Sequence, residues 1–133
     1  MTDRLREQVA ERANGRCEYC LYPAAEALIP HQLDHIIARQ HGSTDSKSNL
    51  ALCCAACNRY KGPNLTSTDP ETGEVTSLFN PRQQSWLDHF IIDEGHILGL
   101  SSEGRTTSFL LRLNEEERLV ERQALLAAGR YGL

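Results

Sequence analysis

Three residues in the first half of the chain could together assist hydrolysis of a phosphodiester bond. Asp34 offers a hard anionic oxygen to a cation such as Mg²⁺, and Asn58 offers a neutral amide oxygen. His35 supplies an imidazole, the side-chain base that exchanges protons near neutral pH. Hydrolysis needs an activated water and a cation that takes up charge on the phosphate oxygens. These residue types indicate metal-assisted cleavage, although an adjacent Asp-His pair taken alone could be an ordinary exposed feature.

Four cysteines form two Cys-x-x-Cys pairs, Cys17 with Cys20 and Cys54 with Cys57. Two such pairs provide four thiolates for a closed tetrahedral zinc site, and an ion with no open coordination position is structural. The charged N-terminal sequence lacks the apolar run of a signal peptide, so we expect a cytoplasmic protein, in whose reducing environment disulfides are disfavoured. Idle thiols and disulfides are the alternatives. Cys53 could replace Cys54 as a ligand but is one residue out of step with Cys57, and we interpret it as a small buried thiol.

The net charge of −4 conceals a basic segment. Residues 31–64 carry four basic and two acidic residues, whereas residues 65–133 carry six basic and eleven acidic ones. This pattern favours contact between the first segment and a phosphate backbone, although a solvated surface would show it too. The candidate phosphate contacts are the basic residues of that segment, Arg39, Lys47, Arg59 and Lys61. The sequence has no run of the ~20 apolar residues that span a bilayer, so we expect no membrane partner.

A strand, a loop, a second strand, a turn and a helix are expected to hold these residues. Residues 28–35 predict the first strand and residues 49–54 the second, with a polar loop between them. Residues 58–61 predict a short helix. Neighbouring strand residues point to opposite faces of a sheet, so Asp34 and His35 can serve one site only at a strand end or a bulge.

The whole chain, residues 1–133, has the length and composition of one compact domain, which we expect to be of the α+β class. Its motif core covers residues 17–62, and residues 63–133 form a C-terminal extension. In front of the core, residues 3–14 predict an amphipathic helix that packs against it.

Within the extension, apolar runs from Phe90 onward are separated by polar turns and predict an antiparallel β-meander that ends near Leu113. Asn114 is then expected to cap a terminal helix. Arg82 and His89 lie in a stretch rich in aromatic residues. We interpret that stretch as a packing segment, with the alternative that one of these two side chains faces a substrate.

Four motifs follow one another across residues 17–62, about a third of the chain. They are Cys17-x-x-Cys20, Asp34-His35-Ile36-Ile37, Asn49-Leu50 and Cys54-x-x-Cys57-Asn58-x-x-Lys61. Together they resemble the motifs of the zinc-containing HNH endonucleases, whose shared core is a ββα-metal finger, and their combined spacing is more specific than any single piece. The C-terminal extension looks like that of small stand-alone bacterial HNH proteins.

The resemblance implies a metal-dependent nuclease that hydrolyses DNA. His35 would be the general base, and Asp34 and Asn58 would hold the catalytic divalent ion, Mg²⁺ or Mn²⁺. Asn49 would brace the loop that aims His35. The two cysteine pairs would hold the structural zinc ion.

Two positions depart from the family pattern. The last motif position is Asn58 rather than His, which also occurs in the family and favours hard ions such as Mg²⁺ over Ni²⁺ or Zn²⁺. The usual Gly-Gly of the loop is Gly42-Ser43 here. A zinc-ribbon module that binds nucleic acid without catalysis and a redox protein that uses its cysteine pairs are the alternatives. The sequence leaves open the DNA site, the strand preference and the oligomeric state, a homodimer included.

Overall fold

A computed structural model describes residues 2–132. Over that range the chain forms five α-helices and three two-stranded antiparallel sheets, with short 3-10 turns between some of them. In chain order the elements are α1 (Asp3–Arg12), β1 (Gln32–His35), β2 (Leu50–Cys53), α2 (Ala55–Lys61), β3 (Thr66–Thr68), β4 (Val75–Ser77), α3 (Trp86–His89), β5 (Phe90–Asp93), β6 (His96–Gly99), α4 (Ser102–Leu110) and α5 (Glu116–Ala127). The predicted mixture of helices and small antiparallel sheets is confirmed.

The elements of the motif core have the predicted order. β1 and β2 pair antiparallel, with Gln32 opposite Cys53 and His35 opposite Leu50. Helix α2 spans Ala55–Lys61, with Cys54 as its N-cap, so it begins earlier than the predicted helix at 58–61 and the expected turn before it is the first turn of the helix. β1 is shorter than predicted and begins at Gln32 because Pro30 has no N–H to contribute to a ladder of hydrogen bonds.

Helix α1 packs on the outer side of this hairpin, as its periodicity predicts. Val9 is fully buried and lies in a small apolar cluster with Leu50 and Leu52 of β2. Gly15 has a φ of +67°, the left-handed conformation that glycine adopts at no steric cost, and it follows the end of the helix. The helix therefore supports β2 from one side.

An aromatic cluster from the extension packs against the first cysteine turn. The indole Nε1 of Trp86 donates to the carbonyl of Tyr19 at 2.9 Å, and the indole stacks on Phe90 with ring centroids 5.0 Å apart. Phe79 meets Phe90 edge-on at 5.2 Å. Offset and edge-on pairs of this kind are the favourable arrangements of aromatic rings. The packing interpretation of this stretch is confirmed.

Arg82 and His89 take part in that packing. The guanidinium of Arg82 forms an ion pair with Glu18. His89 Nδ1 lies 2.6 Å from the hydroxyl of Ser101. Both side chains are occupied within the fold, and the alternative in which one of them faces a substrate finds no support in their positions.

The predicted β-meander is wrong beyond its first hairpin. Strands β5 and β6 pair as expected, but residues 102–110 form helix α4 rather than a third strand. Ser101 caps this helix, since its hydroxyl accepts a hydrogen bond from the Gly104 N–H at 3.0 Å. A Cβ at Gly104 would lie 2.1 Å from the carbonyl oxygen of His89, so this glycine allows α4 to approach the end of α3 closely rather than marking a turn.

The terminal helix α5 is confirmed, but the cap predicted for it is wrong. Asn114 lies before α5, where its Oδ1 accepts from the Ile97 N–H at 2.8 Å and its Nδ2 donates to the Ile97 carbonyl at 2.8 Å. A two-stranded sheet leaves backbone groups unpaired along its edges, and the amide of Asn114 satisfies two of them on β6.

The main buried cluster joins the motif core to the extension. Its members include Cys17, Tyr19, Ile36 and Ala51 from the core and Phe79, Phe90, Ile97, Leu111 and Leu113 from the extension. The scaffold under the motifs therefore includes residues far beyond them in sequence. Within residues 2–132, no helix combines the length and the apolar character needed to cross a membrane.

Candidate active site and zinc cluster

The end of β1 brings Asp34 and His35 to one groove. β1 ends at His35, so the alternation of strand faces stops there and two neighbouring side chains can approach the same space. Asn58, on α2, lines this groove as well, and the groove has a volume of about 430 Å³. The predicted strand end is present, and the three candidate catalytic residues lie around one open space.

Asp34 is buried and held by two partners. Its Oδ2 accepts from the Tyr19 hydroxyl at 2.8 Å and lies 3.1 Å from the Lys61 ammonium. Burial raises the pKa of Asp34, although the Lys61 charge and the hydrogen bond from Tyr19 oppose the rise. The carboxylate is thus oriented firmly at the groove wall.

Lys61 does not occupy the position predicted for a phosphate contact. Its side chain is only 2% exposed, and its ammonium lies 3.4 Å from the carbonyl oxygen of His35 and 3.3 Å from that of Ile36, besides contacting Asp34. A buried ammonium needs such acceptors because it has lost its water. Lys61 therefore joins the last turn of α2 to the end of β1 and cannot reach an external phosphate from there.

We expect Lys61→Met to destabilise the protein by about 3–5 kcal/mol, because it leaves the Asp34 carboxylate buried without its counter-charge. Urea unfolding followed by circular dichroism measures this change. Lys47→Met is the matched control: Lys47 is exposed, and its replacement is expected to change the free energy of unfolding by less than about 0.5 kcal/mol. Adding Asp34→Asn to Lys61→Met is expected to recover part of the loss. Equal urea midpoints for Lys61→Met and Lys47→Met would contradict the role of Lys61 as the buried counter-charge of Asp34.

His35 is paired with a residue that the sequence interpretation missed. Its Nε2 lies 2.7 Å from Oδ1 of Asp45, in the loop between β1 and β2. Arg39 donates to both carboxylate oxygens of Asp45, at 3.0 and 3.1 Å. Hydrogen bonds from His35 and Arg39 lower the pKa of Asp45, which is therefore a carboxylate at neutral pH. The one available signal was that Asp45 is the only acidic residue between the two predicted strands.

Asn49 holds the same loop at two points. Its Oδ1 accepts from the Ile37 N–H at 2.9 Å, and its Nδ2 donates to the carbonyl oxygens of Ile37 and Thr44, both at 3.0 Å. The backbone N–H of Ile36 also donates to the Asn49 carbonyl at 2.9 Å. This geometry is what a loop-bracing residue requires.

The amide of Asn58 has a fixed orientation. Its Nδ2 donates to Oε1 of Gln32 on β1 at 2.7 Å, which leaves the amide oxygen as the acceptor end of the side chain. An amide oxygen oriented in this way could serve as a metal ligand. Gln32 is a second positioning residue that the motifs did not reveal.

The three other predicted phosphate contacts do not all lie at the groove. Arg39 lines the groove, and its side chain is 64% exposed, so its charge remains accessible although it pairs with Asp45. Lys47 and Arg59 are exposed but are not among the groove-lining residues. Of these three basic side chains, one therefore lies at the groove and the other two lie on the surface outside its lining.

The four predicted cysteines form one buried cluster, made by Cys17, Cys20, Cys54 and Cys57. Their sulfur atoms all lie within 4.8 Å of one another, and those of Cys20 and Cys54 are 3.7 Å apart. A tetrahedral site with Zn–S distances of ~2.3 Å has S···S edges of about 3.8 Å, so the cluster fits a zinc ion. Cys53 is buried and is not a member of this group.

Arg118 links helix α5 to the cysteine cluster. Its guanidinium donates to the sulfur of Cys57 at 3.0 Å and lies 3.8 Å from that of Cys54. Four thiolates around one zinc ion retain a net charge of about −2, which a guanidinium donor partly balances. No motif signalled this residue, because it lies 61 positions from Cys57 in sequence.

Comparison with known proteins agrees with the geometry. Residues 17–64 match the family described as HNH endonuclease, so the resemblance inferred from the motifs is confirmed for that segment. A 94-residue stretch is 38% identical to the CRISPR-associated endonuclease Cas9 of Corynebacterium diphtheriae, and a 118-residue stretch is 25% identical to the Septu protein PtuB of Bacillus thuringiensis.

These two alignments cover most of this chain but much less of the relatives. The first covers 70% of this chain and 8% of the Cas9 protein, and the second covers 87% of this chain and 43% of PtuB. The chain therefore spans less than half the length of either relative. No solved structure gives a significant match.

Proposed function

We propose, from the place of residues 17–64 in the HNH endonuclease family, that the protein is a metal-dependent endonuclease that hydrolyses DNA phosphodiester bonds. The observation that carries the proposal is the convergence of Asp34, His35 and Asn58 on one groove, beside a cysteine cluster that fits zinc. A module that only binds nucleic acid has no need of these three side chains around one space.

The hairpin of β1 and β2 followed by α2 would be the ββα-metal finger of this enzyme. In this proposal the finger, the cysteine cluster and the extension form a single nuclease domain over residues 1–133, with the motif core at 17–62. The buried cluster shared between core and extension supports that organisation.

The proposed roles follow from the contacts. His35 takes a proton from the attacking water, and Asn49 holds the loop beside it. Asp34 and Asn58 present a carboxylate and an amide oxygen to a divalent ion, Mg²⁺ or Mn²⁺. When bound, that ion withdraws charge from the phosphate oxygens and the leaving group.

The neighbourhood of Asp34 suggests when the ion would bind. One carboxylate and one amide make a weak site, and the Lys61 ammonium, 3.1 Å from Asp34, repels a second cation. A DNA phosphate would add anionic oxygens and offset that repulsion. We therefore propose that the catalytic ion binds tightly only together with DNA, whereas the structural zinc ion stays with its four cysteines.

The proposed DNA contacts are Arg39 at the groove and Lys47 and Arg59 on the surface near it, with Lys61 excluded by its burial. A cytoplasmic location remains a prediction from the sequence.

We expect Asn58→Ala to raise the Mg²⁺ concentration needed for half-maximal nicking of supercoiled plasmid by at least about tenfold, because one oxygen ligand is lost. Chelation of divalent ions with EDTA is expected to stop nicking by the wild-type protein. The assay measures nicked and linear plasmid against Mg²⁺ and Mn²⁺ concentration.

Arg59→Ala is the matched control for that experiment, since Arg59 follows Asn58 on α2 but is exposed and outside the groove lining. It is expected to weaken DNA binding and to leave the Mg²⁺ requirement unchanged. Plasmid that is bound but never nicked, with either metal, would favour the non-catalytic zinc-ribbon alternative.

A further inference from the structure

We propose that Asp45 is a positioning residue that holds the His35 imidazole with its proton on Nε2 and its lone pair on Nδ1, so that Nδ1 is the nitrogen that takes the proton from water. This inference rests on the proposed nuclease function for its catalytic consequence, but the proton placement itself concerns only the two side chains.

The proton placement follows from the chemistry of the contact. Oδ1 of Asp45 lies 2.7 Å from His35 Nε2, and an ionised carboxylate can only accept a hydrogen bond. Nε2 must therefore carry the proton, and the neutral ring keeps its lone pair on Nδ1. A base held in the wrong tautomer would direct an N–H at the water and could not accept its proton.

Arg39 keeps Asp45 in the acceptor state. It donates to Oδ1 and Oδ2 at 3.0 and 3.1 Å, and this two-point contact fixes the plane of the carboxylate as well as its charge. Asp45 thus joins the His35 imidazole to the Arg39 guanidinium by charge-assisted hydrogen bonds, and both of these partners line the groove.

The loop that carries Asp45 is anchored, so the contact is more than a chance meeting of two mobile side chains. Asn49 binds the carbonyl oxygen of Thr44, the residue directly before Asp45, and also binds both backbone groups of Ile37. Gly42, with a φ of +84°, provides the left-handed residue at which the loop turns back. The bracing by Asn49 therefore positions Asp45, and Asp45 in turn positions His35.

The two side chains of the pair differ in exposure. The His35 side chain is 17% exposed and that of Asp45 is 46% exposed, so the ring lies against the protein while the carboxylate reaches it from the solvent side. If Asp45 instead blocked the His35 base, its removal would raise the cleavage rate rather than lower it.

The test compares Asp45→Ala and Asp45→Asn with Ser46→Ala, a neighbouring change in the same loop. Nitrogen-15 NMR of His35, recorded in DNA-free protein at a pH where the ring is neutral, reports the tautomer directly. We expect the wild type to be protonated at Nε2, Asp45→Ala to show a mixed population, and Asp45→Asn to keep much of the wild-type population because its amide oxygen still accepts. Ser46→Ala is expected to match the wild type.

Single-turnover plasmid cleavage provides the catalytic readout. Asp45→Ala is expected to lower the cleavage rate by about 10- to 100-fold with little change in apparent DNA affinity, and Asp45→Asn to recover part of the rate. An unchanged tautomer population in Asp45→Ala, or faster cleavage by that variant, would overturn the inference. If the wild-type protein cleaves no DNA, the proposed function fails, and the NMR comparison still decides the placement of the proton.

Discussion

Replacing His35 with alanine is expected to reduce plasmid cleavage by about 100- to 10,000-fold, the largest loss of activity that we expect from a change that leaves the fold intact. A positioned general base contributes a factor of this size, and no other imidazole lies among the groove-lining residues within residues 2–132. The ring is held at the groove by its contact with Asp45 and does not belong to the buried clusters, so its removal should leave the fold intact. Single-turnover cleavage at saturating Mg²⁺ measures the loss.

His96→Ala is the control for that prediction. His96 is exposed on the β6 hairpin and does not line the groove, so its variant is expected to cleave at the wild-type rate. Circular dichroism and DNA-binding measurements would show that His35→Ala remains folded and still binds plasmid. If His35→Ala nicks plasmid as fast as His96→Ala does, His35 is not the base.

Replacing Cys57 with serine, or removing zinc with a strong chelator, is expected to abolish cooperative folding. Structural zinc sites contribute about 10–16 kcal/mol of apparent binding free energy in small zinc modules, which is as large as the entire stability of a typical domain. Cys57 is fully buried and shares its cluster with a cysteine from the turn after α1, so its loss would separate α2 from that turn. Thermal unfolding and zinc stoichiometry by mass spectrometry measure the outcome.

Cys53→Ala is the matched control, because Cys53 is as buried as Cys57 and directly precedes Cys54 yet is not part of the cluster. It is expected to retain one zinc ion per chain and to lose about 1 kcal/mol from the small cavity that it leaves. If the chelated protein unfolds at the same temperature as the zinc-loaded one, the cluster is not a structural metal site. The same conclusion follows if Cys53→Ala is the variant that loses zinc.

The parts of the site that the sequence predicted are those encoded by local spacing. Two residues between cysteines place both sulfurs at one turn, so all four ligands could be identified without a structure. The opposite faces of neighbouring strand residues required a strand end or a bulge at Asp34 and His35, and β1 ends at His35. Both inferences use only the spacing of residues that are close in sequence, so they need no knowledge of the tertiary structure.

The parts that it did not predict depend on contacts between distant segments. Lys61 has the composition of a phosphate ligand, and only the fold shows that Asp34 and two backbone carbonyls surround it. Asn114 is a good helix cap by type, but the unpaired edge of β6 competes for its amide. Residues 102–110 include two threonines, which favour strands, yet Ser101 and the small Gly104 allow a helix to pack there.

The contact between Arg118 and Cys57 has a consequence for dividing this chain into smaller pieces. An excised peptide limited to the family segment, residues 17–64, would contain all five cysteines and every candidate catalytic group, but it would lack the Arg118 guanidinium that donates to the Cys57 sulfur. It would also expose Ile36 and Ala51 to water, because Leu111 and Leu113 belong to the same apolar cluster. The candidate catalytic residues and the four clustered cysteines therefore lie within residues 17–64, whereas the contacts that support them extend to helix α5.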